Sequence, residues 1–137
     1  MNEHDLVQEW LAIANEDLEA ARLLFDQPHR KLLEIICYHC QQSAEKSLKG
    51  YLQAKGDEVP RTHEVGELCR LCSAFDITFK AFQVPSERLS LYATHLRYPN
   101  RVEVDEKEAV RAIRWAKELL ELSEKLCAEL LPGNQTN

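Results

Sequence analysis

Two groups of polar side chains in this sequence are of the kind that binds phosphate. His39, Gln42 and Lys46 follow one another at intervals of three and four residues, so on a helix they share one face. Thr62 and His63 come just after a break in the helical pattern, and we expect the helices on either side of that break to pack antiparallel. An imidazole and an ammonium group on facing helices would suit a phosphate. The alternative is a solvated strip of unrelated surface residues.

A third polar cluster lies in THLRYPN, residues 94–100. Arg97 can bind a phosphate through two parallel hydrogen bonds, and Tyr98 can stack on a base. His95 adds an imidazole that titrates near neutral pH. The alternative is an ordinary helix end, where arginine and histidine interact favourably with the helix dipole and Tyr-Pro stops the helix.

The five cysteines include two pairs with the CxxC spacing that often marks zinc, Cys37/Cys40 and Cys69/Cys72. Both pairs lie in apolar helical stretches, IICYHC and LCRLC, where positions three residues apart share a buried face. We therefore predict that these cysteines pack in the core, with no metal site and no cofactor. Their odd number indicates reduced thiols rather than a disulfide framework.

The elements that carry these residues are predicted to be helices, because apolar residues recur at intervals of three and four along five segments. The predicted helices cover residues 5–25, 30–55, 62–72, 86–95 and 105–131, with Thr62 and Asp105 as N-caps. The inward stripe is predicted as Leu6, Trp10, Ile13, Ala14, Leu18 and Ala21 in the first helix, and as Val110, Ile113, Leu119, Leu120, Leu126 and Leu130 in the last. Four glycines and five prolines are too few for a many-stranded sheet. The predicted fold is all-α, an antiparallel bundle of four or five helices.

The length and the net charge of the chain limit the classes of function that it can have. The 137 residues fit one domain, predicted over 1–131 with a polar tail at 132–137. Residues 1–26 contain seven acids and one base, so this segment alone carries the net charge of −6. An acidic total argues against a nonspecific nucleic-acid coat but is compatible with a local basic cleft. The start MNEHDLVQEW lacks a secretory pattern and the apolar runs are too short for a membrane span, so we expect a cytoplasmic protein without membrane contact.

Four segments together resemble the HEPN domain, the nucleotide-binding helical domain of higher eukaryotes and prokaryotes. They are WLAIANEDLEAARLL (10–24), YHCQQSAEKSLKGYLQAKG (38–56), PRTHEVGEL (60–68) and RYP (97–99). The similarity covers roughly residues 5–131. It implies a short bundle of antiparallel helices, usually a homodimer.

HEPN proteins with the RYP ending, which this chain resembles more closely, look like small stand-alone partners of minimal nucleotidyltransferases. This resemblance implies a toxin–antitoxin-like module and a site for nucleotide or RNA phosphates. The residues implied for that site are His39, Lys46, His63, Arg97 and Tyr98.

Other HEPN proteins are metal-independent endoribonucleases, whose signature is an arginine, four to six residues and then a histidine. Arg88 and His95 fit this signature with six intervening residues. The resemblance then implies that His95 transfers protons and that Arg88 stabilises the phosphorane charge. A third hypothesis is a non-catalytic helical interaction module.

Overall fold

The chain forms a helical bundle in the part that its structure, a computed structural model, describes: residues 2–27, 32–93, 99 and 103–131. The elements are α1 (Glu3–Phe25), α2 (Leu33–Ala54), α3 (Val65–Ser73), a 3₁₀ helix (Ile77–Phe82), α4 (Gln83–Ser90) and α5 (Glu106–Leu130). This architecture confirms the predicted all-α bundle. None of the helices in the described ranges has the length and apolar character needed to cross a membrane.

Helix α1 begins at an Asn2 capping box with Asp5 and buries a stripe that is rotated from the predicted one. The buried residues are Val7, Leu11, Ala14, Leu18 and Ala21. Leu6 and Ile13, which were predicted to face inward, are more than a third exposed. The apolar sector of α1 is wider than the surface that the neighbouring helices cover, so its edge stays in contact with solvent.

The central helix is α2, which packs against α1, α3, α4 and α5. It runs antiparallel to α1, because Trp10 contacts Gln53 near one end of the pair and Asp17 contacts His39 near the other. By contrast, α5 runs in the same direction as α2, because Glu108 at the start of α5 lies near Cys37 early in α2, and Cys127 late in α5 lies near Tyr51 late in α2. This is possible because α4 runs back to the first end of the bundle, where Tyr92, just after α4, contacts Glu108 at the start of α5.

The expected antiparallel packing of α2 and α3 is wrong. Gln41 contacts the backbone of His63, and Leu48, two turns further along α2, contacts Cys72 at the end of α3. The two helices therefore run in the same direction. Residues 57–64 have no regular secondary structure and lead back along α2, and eight extended residues are long enough for this return.

Two helices, α3 and α4, begin or end at residues other than the predicted ones. The N-cap of α3 is Glu64 rather than Thr62, whose hydroxyl instead accepts a hydrogen bond from the Glu64 backbone. The α-helix α4 starts at Gln83, directly after the 3₁₀ helix, and ends at Ser90. His95, the predicted end of this helix, lies outside the described residues.

Helix α5 has Asp105 as its N-cap, as predicted, but two residues expected inside are exposed. The Asp105 carboxylate accepts a hydrogen bond from the Glu108 backbone at 2.8 Å, which confirms the predicted N-cap. Val110 is 48% exposed and Leu130 is 39% exposed. Alanines take the inward positions in the first half of α5, at Ala109, Ala112 and Ala116, since small side chains let two helices approach closely.

Candidate functional site

A buried carboxylate on α2 gathers the polar groups of the candidate site. We call Gln41, Glu45, Lys46, Lys49 and His63 the Glu45 cluster. Oxygen Oε2 of Glu45 accepts hydrogen bonds from the Nζ atoms of Lys46 at 3.1 Å and Lys49 at 3.0 Å. Oxygen Oε1 accepts one from the side-chain amide of Gln41 at 3.0 Å. The Nδ1 atom of His63 lies 3.1 Å from both oxygens.

The cluster combines side chains of α2 with His63, which lies in the segment 57–64 that runs back along α2. The amide of Gln41 also donates to the backbone carbonyl of His63 at 3.1 Å, which fixes the returning segment against α2. The next residue, Gln42, donates to Gln41 at 2.8 Å and accepts from Lys46 at 3.0 Å. Each polar group of the cluster therefore has a partner, as buried polar groups require.

Burial and charge act in opposite directions on Glu45, which is 1% exposed. Burial by itself raises the pKa of a carboxyl group. The hydrogen bond from Lys49 and the positive charges of Lys46 and Lys49 outweigh this effect and hold the pKa of Glu45 below its ordinary value. Glu45 is therefore a carboxylate at neutral pH. With two ammonium groups around one carboxylate, the cluster keeps one positive charge.

Access to the cluster is uneven. The side chain of Lys49 is only 6% exposed, that of Lys46 is 17% exposed, and that of His63 is 70% exposed. The part that a ligand can reach therefore consists of Lys46 and His63, with Glu45 and Lys49 beneath them. Ammonium and imidazole donors at a partly buried edge can bind a phosphate oxygen more strongly than fully solvated groups.

His39 lies on the same face of α2 as Lys46 but two turns earlier, about 10 Å along the helix axis. Its Nδ1 atom lies 2.9 Å from Asp17 of α1, and its side chain is 28% exposed. The structure thus brings Lys46 and His63 onto one carboxylate, whereas His39 has a separate carboxylate partner.

Arg88, the predicted ribonuclease arginine, belongs to a different group of contacts. It lies on α4, and its guanidinium is 3.7 Å from Glu108 of α5. Glu108 also accepts a hydrogen bond from the hydroxyl of Tyr92 at 2.5 Å. Burial, together with this carboxylate, raises the pKa of the Tyr92 hydroxyl. The other predicted site residues, His95, Arg97 and Tyr98, lie outside the described residues.

All five cysteines are buried with free thiols. Burial is the largest cause that raises the pKa of Cys37 to about 12 and that of Cys127 to about 12. Burial also raises the pKa of Cys40, Cys69 and Cys72. Within the described ranges, no three histidine, cysteine or acidic residues are arranged to hold a metal ion. The CxxC pairs occupy core positions and behave as small apolar side chains.

Glu45 and Lys49 were not among the predicted site residues. The sequence places them four residues apart in EKSLK, which is also the commonest spacing for a salt bridge on an exposed helix surface. Only the position of α2 inside the bundle distinguishes the buried pair from a solvated one.

Comparison with known proteins identifies the family. The HEPN domain profile matches residues 7–126. Among solved structures, the crystal structure of an archaeal HEPN homologue matches with a TM-score of 0.68 and 26% sequence identity, over 88% of this chain and 97% of that chain. No curated protein shows significant sequence similarity to the chain. The family resemblance in the four sequence segments is thus confirmed, and the chain belongs to the HEPN domain family.

Proposed function

We propose that this HEPN protein binds nucleotide or RNA phosphates at the exposed edge of the Glu45 cluster, through Lys46 and His63. We further propose that it acts as a homodimer and as the partner of a minimal nucleotidyltransferase in a toxin–antitoxin-like module. The family resemblance adds Arg97 and Tyr98, which lie outside the described residues, as further binding residues, and His39 extends the site along α2.

The observation that supports this proposal is the shared contact of Lys46 and His63 with one buried carboxylate. Both side chains lie 3.1 Å from Glu45 Oε2, so their donor groups are held near each other before a ligand arrives. Groups that are already positioned lose little conformational freedom on binding, which favours affinity. The remaining positive charge of the cluster has the sign that attracts a phosphate.

Calorimetric titration with ATP, and fluorescence anisotropy with a labelled RNA oligonucleotide, test the site. Lys46→Ala and His63→Ala should each weaken binding about ten- to hundredfold, since a hydrogen bond to a charged group contributes roughly 1.5–3 kcal/mol. Arg97→Ala should have a similar effect. Thermal melting of each variant establishes that it is folded.

Lys117→Ala is the matched control, because it removes an ammonium group that is half exposed on α5, 3.8 Å from Glu121. The proposal predicts wild-type affinity for this variant. If Lys46→Ala and His63→Ala bind ATP and RNA as tightly as Lys117→Ala does, the Glu45 cluster is not a phosphate site.

The same RNA distinguishes a binding module from a ribonuclease. RNA that stays intact while it binds supports the module, whereas cleavage that Arg88→Ala and His95→Ala both abolish supports the ribonuclease. Because Arg88 contacts Glu108 rather than the Glu45 cluster, Lys46→Ala should not reproduce the complete loss seen with His95→Ala.

Association is tested separately. Sedimentation of the pure chain should give about twice its mass of 15.8 kDa, and co-expression with a minimal nucleotidyltransferase from the same genome should give a complex that co-purifies. A monomer at all concentrations would contradict the proposed homodimer, and separate elution of the two proteins would contradict the proposed pair.

A further inference from the structure

Trp10 lies beside the Glu45 cluster, in contact with α2. The Lys49 ammonium is 5.7 Å from the centre of the Trp10 ring, within the range of a cation–π interaction. The indole Nε1 donates a hydrogen bond to the side chain of Gln53 at 3.3 Å, and Gln53 in turn donates to Glu3 at 3.0 Å. The ring therefore has a fixed orientation on the surface of α2.

The indole is close to the proposed phosphate site because Lys49 connects the two. Lys46 and Lys49 contact the same carboxylate oxygen of Glu45, and Lys49 also contacts the Trp10 ring. The path from the phosphate-binding ammonium to the aromatic ring thus runs through one carboxylate and one lysine. A nucleotide likewise carries its aromatic base several ångströms from its phosphates.

Trp10 is only partly enclosed by the core. The ring is half-buried, unlike its helix neighbours Val7 and Leu11, which lie in the core. Its only polar atom is already bonded within the protein, so the accessible part of the indole is aromatic surface. Such a surface next to a cationic group is the combination that binds a base together with its phosphate.

We propose that Trp10 is a base-stacking residue of the site, and that the ligands of the site are therefore nucleotides or RNA rather than phosphate alone. This inference rests on the proposed phosphate site. Stacking on an indole is available to every base, so Trp10 provides affinity for a base without strong selection among bases.

Tryptophan fluorescence tests the inference directly. The chain has two tryptophans, and Trp115→Phe leaves Trp10 as the single one. The ligands are ATP and inorganic tripolyphosphate, which have similar charge and differ in the nucleoside. In the Trp115→Phe protein, ATP should quench Trp10 emission and bind about tenfold more tightly than tripolyphosphate, whereas tripolyphosphate should leave the emission nearly unchanged.

Substitution of Trp10 separates stacking from packing. Trp10→Leu keeps an apolar side chain. Calorimetry should show that this variant binds ATP about tenfold more weakly than the wild type does, with an affinity equal to that for tripolyphosphate. Its affinity for tripolyphosphate should be unchanged. Trp10→Phe keeps an aromatic ring and should recover part of the ATP affinity. If Trp10→Leu melts too early for titration, the Trp10→Phe comparison and the quenching decide the question.

Two results would overturn the inference. The first would still support the proposed phosphate site, and the second would exclude it. Equal affinity for ATP and tripolyphosphate, both weakened by Lys46→Ala, would exclude stacking and keep the phosphate site. If neither ligand binds, both the phosphate site and base stacking on Trp10 are excluded.

Discussion

Glu45 shows how a single buried residue organises the candidate site. Desolvation of a carboxylate costs free energy, and only well-placed partners offset that cost. Lys46 and Lys49 both lie within 3.1 Å of the carboxylate, and this pairing keeps Glu45 ionised. One residue thereby holds two cations and an imidazole, so the geometry of the site and the stability of the fold depend on the same charge.

Replacement of Glu45 by glutamine should destabilise the protein in a pH-dependent way. At pH 7 the amide leaves two ammonium groups without their carboxylate, and we expect a loss of roughly 3 kcal/mol in the free energy of unfolding. The folded-state pKa of Glu45 is lowered. Its contribution is therefore present above the unfolded-state pKa of about 4.3 and is lost as the pH falls through the lower folded-state pKa.

Urea unfolding of wild type and Glu45→Gln from pH 7 down to pH 3 measures this effect. The difference in unfolding free energy should shrink towards the acid end. Glu121→Gln, which removes a largely exposed carboxylate from α5, should show little difference at any pH. A constant difference between wild type and Glu45→Gln across the range would mean that the carboxylate charge does not stabilise the fold.

At the scale of elements, the start of α5 depends on one capping residue. The Asp105 carboxylate satisfies the free backbone N–H of Glu108. The Glu108 side chain contacts Tyr92 instead of completing a capping box. Asp105→Ala should lower the free energy of unfolding by about 1 kcal/mol, whereas Asp105→Asn should be nearly neutral, since asparagine caps equally well. Equal urea midpoints for the two variants would show that the cap does not stabilise α5.

The crossing of α3 and α4 depends on a glycine. A Cβ atom at Gly66 would lie 2.8 Å from Cγ and 3.3 Å from Cα of Glu87, so the Glu87 side chain or the two helices would have to shift. Gly66→Ala should cost about 1 kcal/mol, because the steric cost exceeds the gain in helix propensity. Combining it with Glu87→Ala removes the closest atom and should recover part of this loss. If the two substitutions are additive in urea unfolding, the contact with Glu87 is not the cause.

At the scale of the whole molecule, the charge distribution limits how much RNA the protein can engage. The net charge of −6 comes from residues 1–26, and α1 lies directly against α2. The acidic helix therefore borders the proposed site and repels phosphates that extend beyond it. We expect the protein to contact one or two phosphates of an RNA strand.

Salt dependence measures this number. A plot of the logarithm of RNA affinity against the logarithm of KCl concentration should have a slope of about −1, given roughly −0.7 per neutralised phosphate of a single strand. Lys46→Ala should make the slope shallower. A slope of about −4 or steeper would indicate an extended basic surface and contradict a local site.

The fold was largely predictable because helices depend on local patterns. Repeated apolar spacing predicted every long helix, and Asp105 was predicted as the cap of α5. The predictions failed where the outcome depended on neighbours far away in the sequence. Leu6 and Val110 have the same chemistry as buried residues, but the helices in the described part of the chain leave them exposed. The direction of α3 depends on the path of residues 57–64. These residues are not helical, so the spacing of apolar residues could not predict that path.

The sequence by itself determined the helices and the family, and it located polar residues between positions 39 and 63. The tertiary structure decided which of these polar residues are buried. Periodicity gives the angle of a side chain around its helix, but not how many other helices surround that helix. Because α2 is enclosed by its neighbours, Glu45 and Lys49 lie inside the protein and share one contact network with His63 and Trp10.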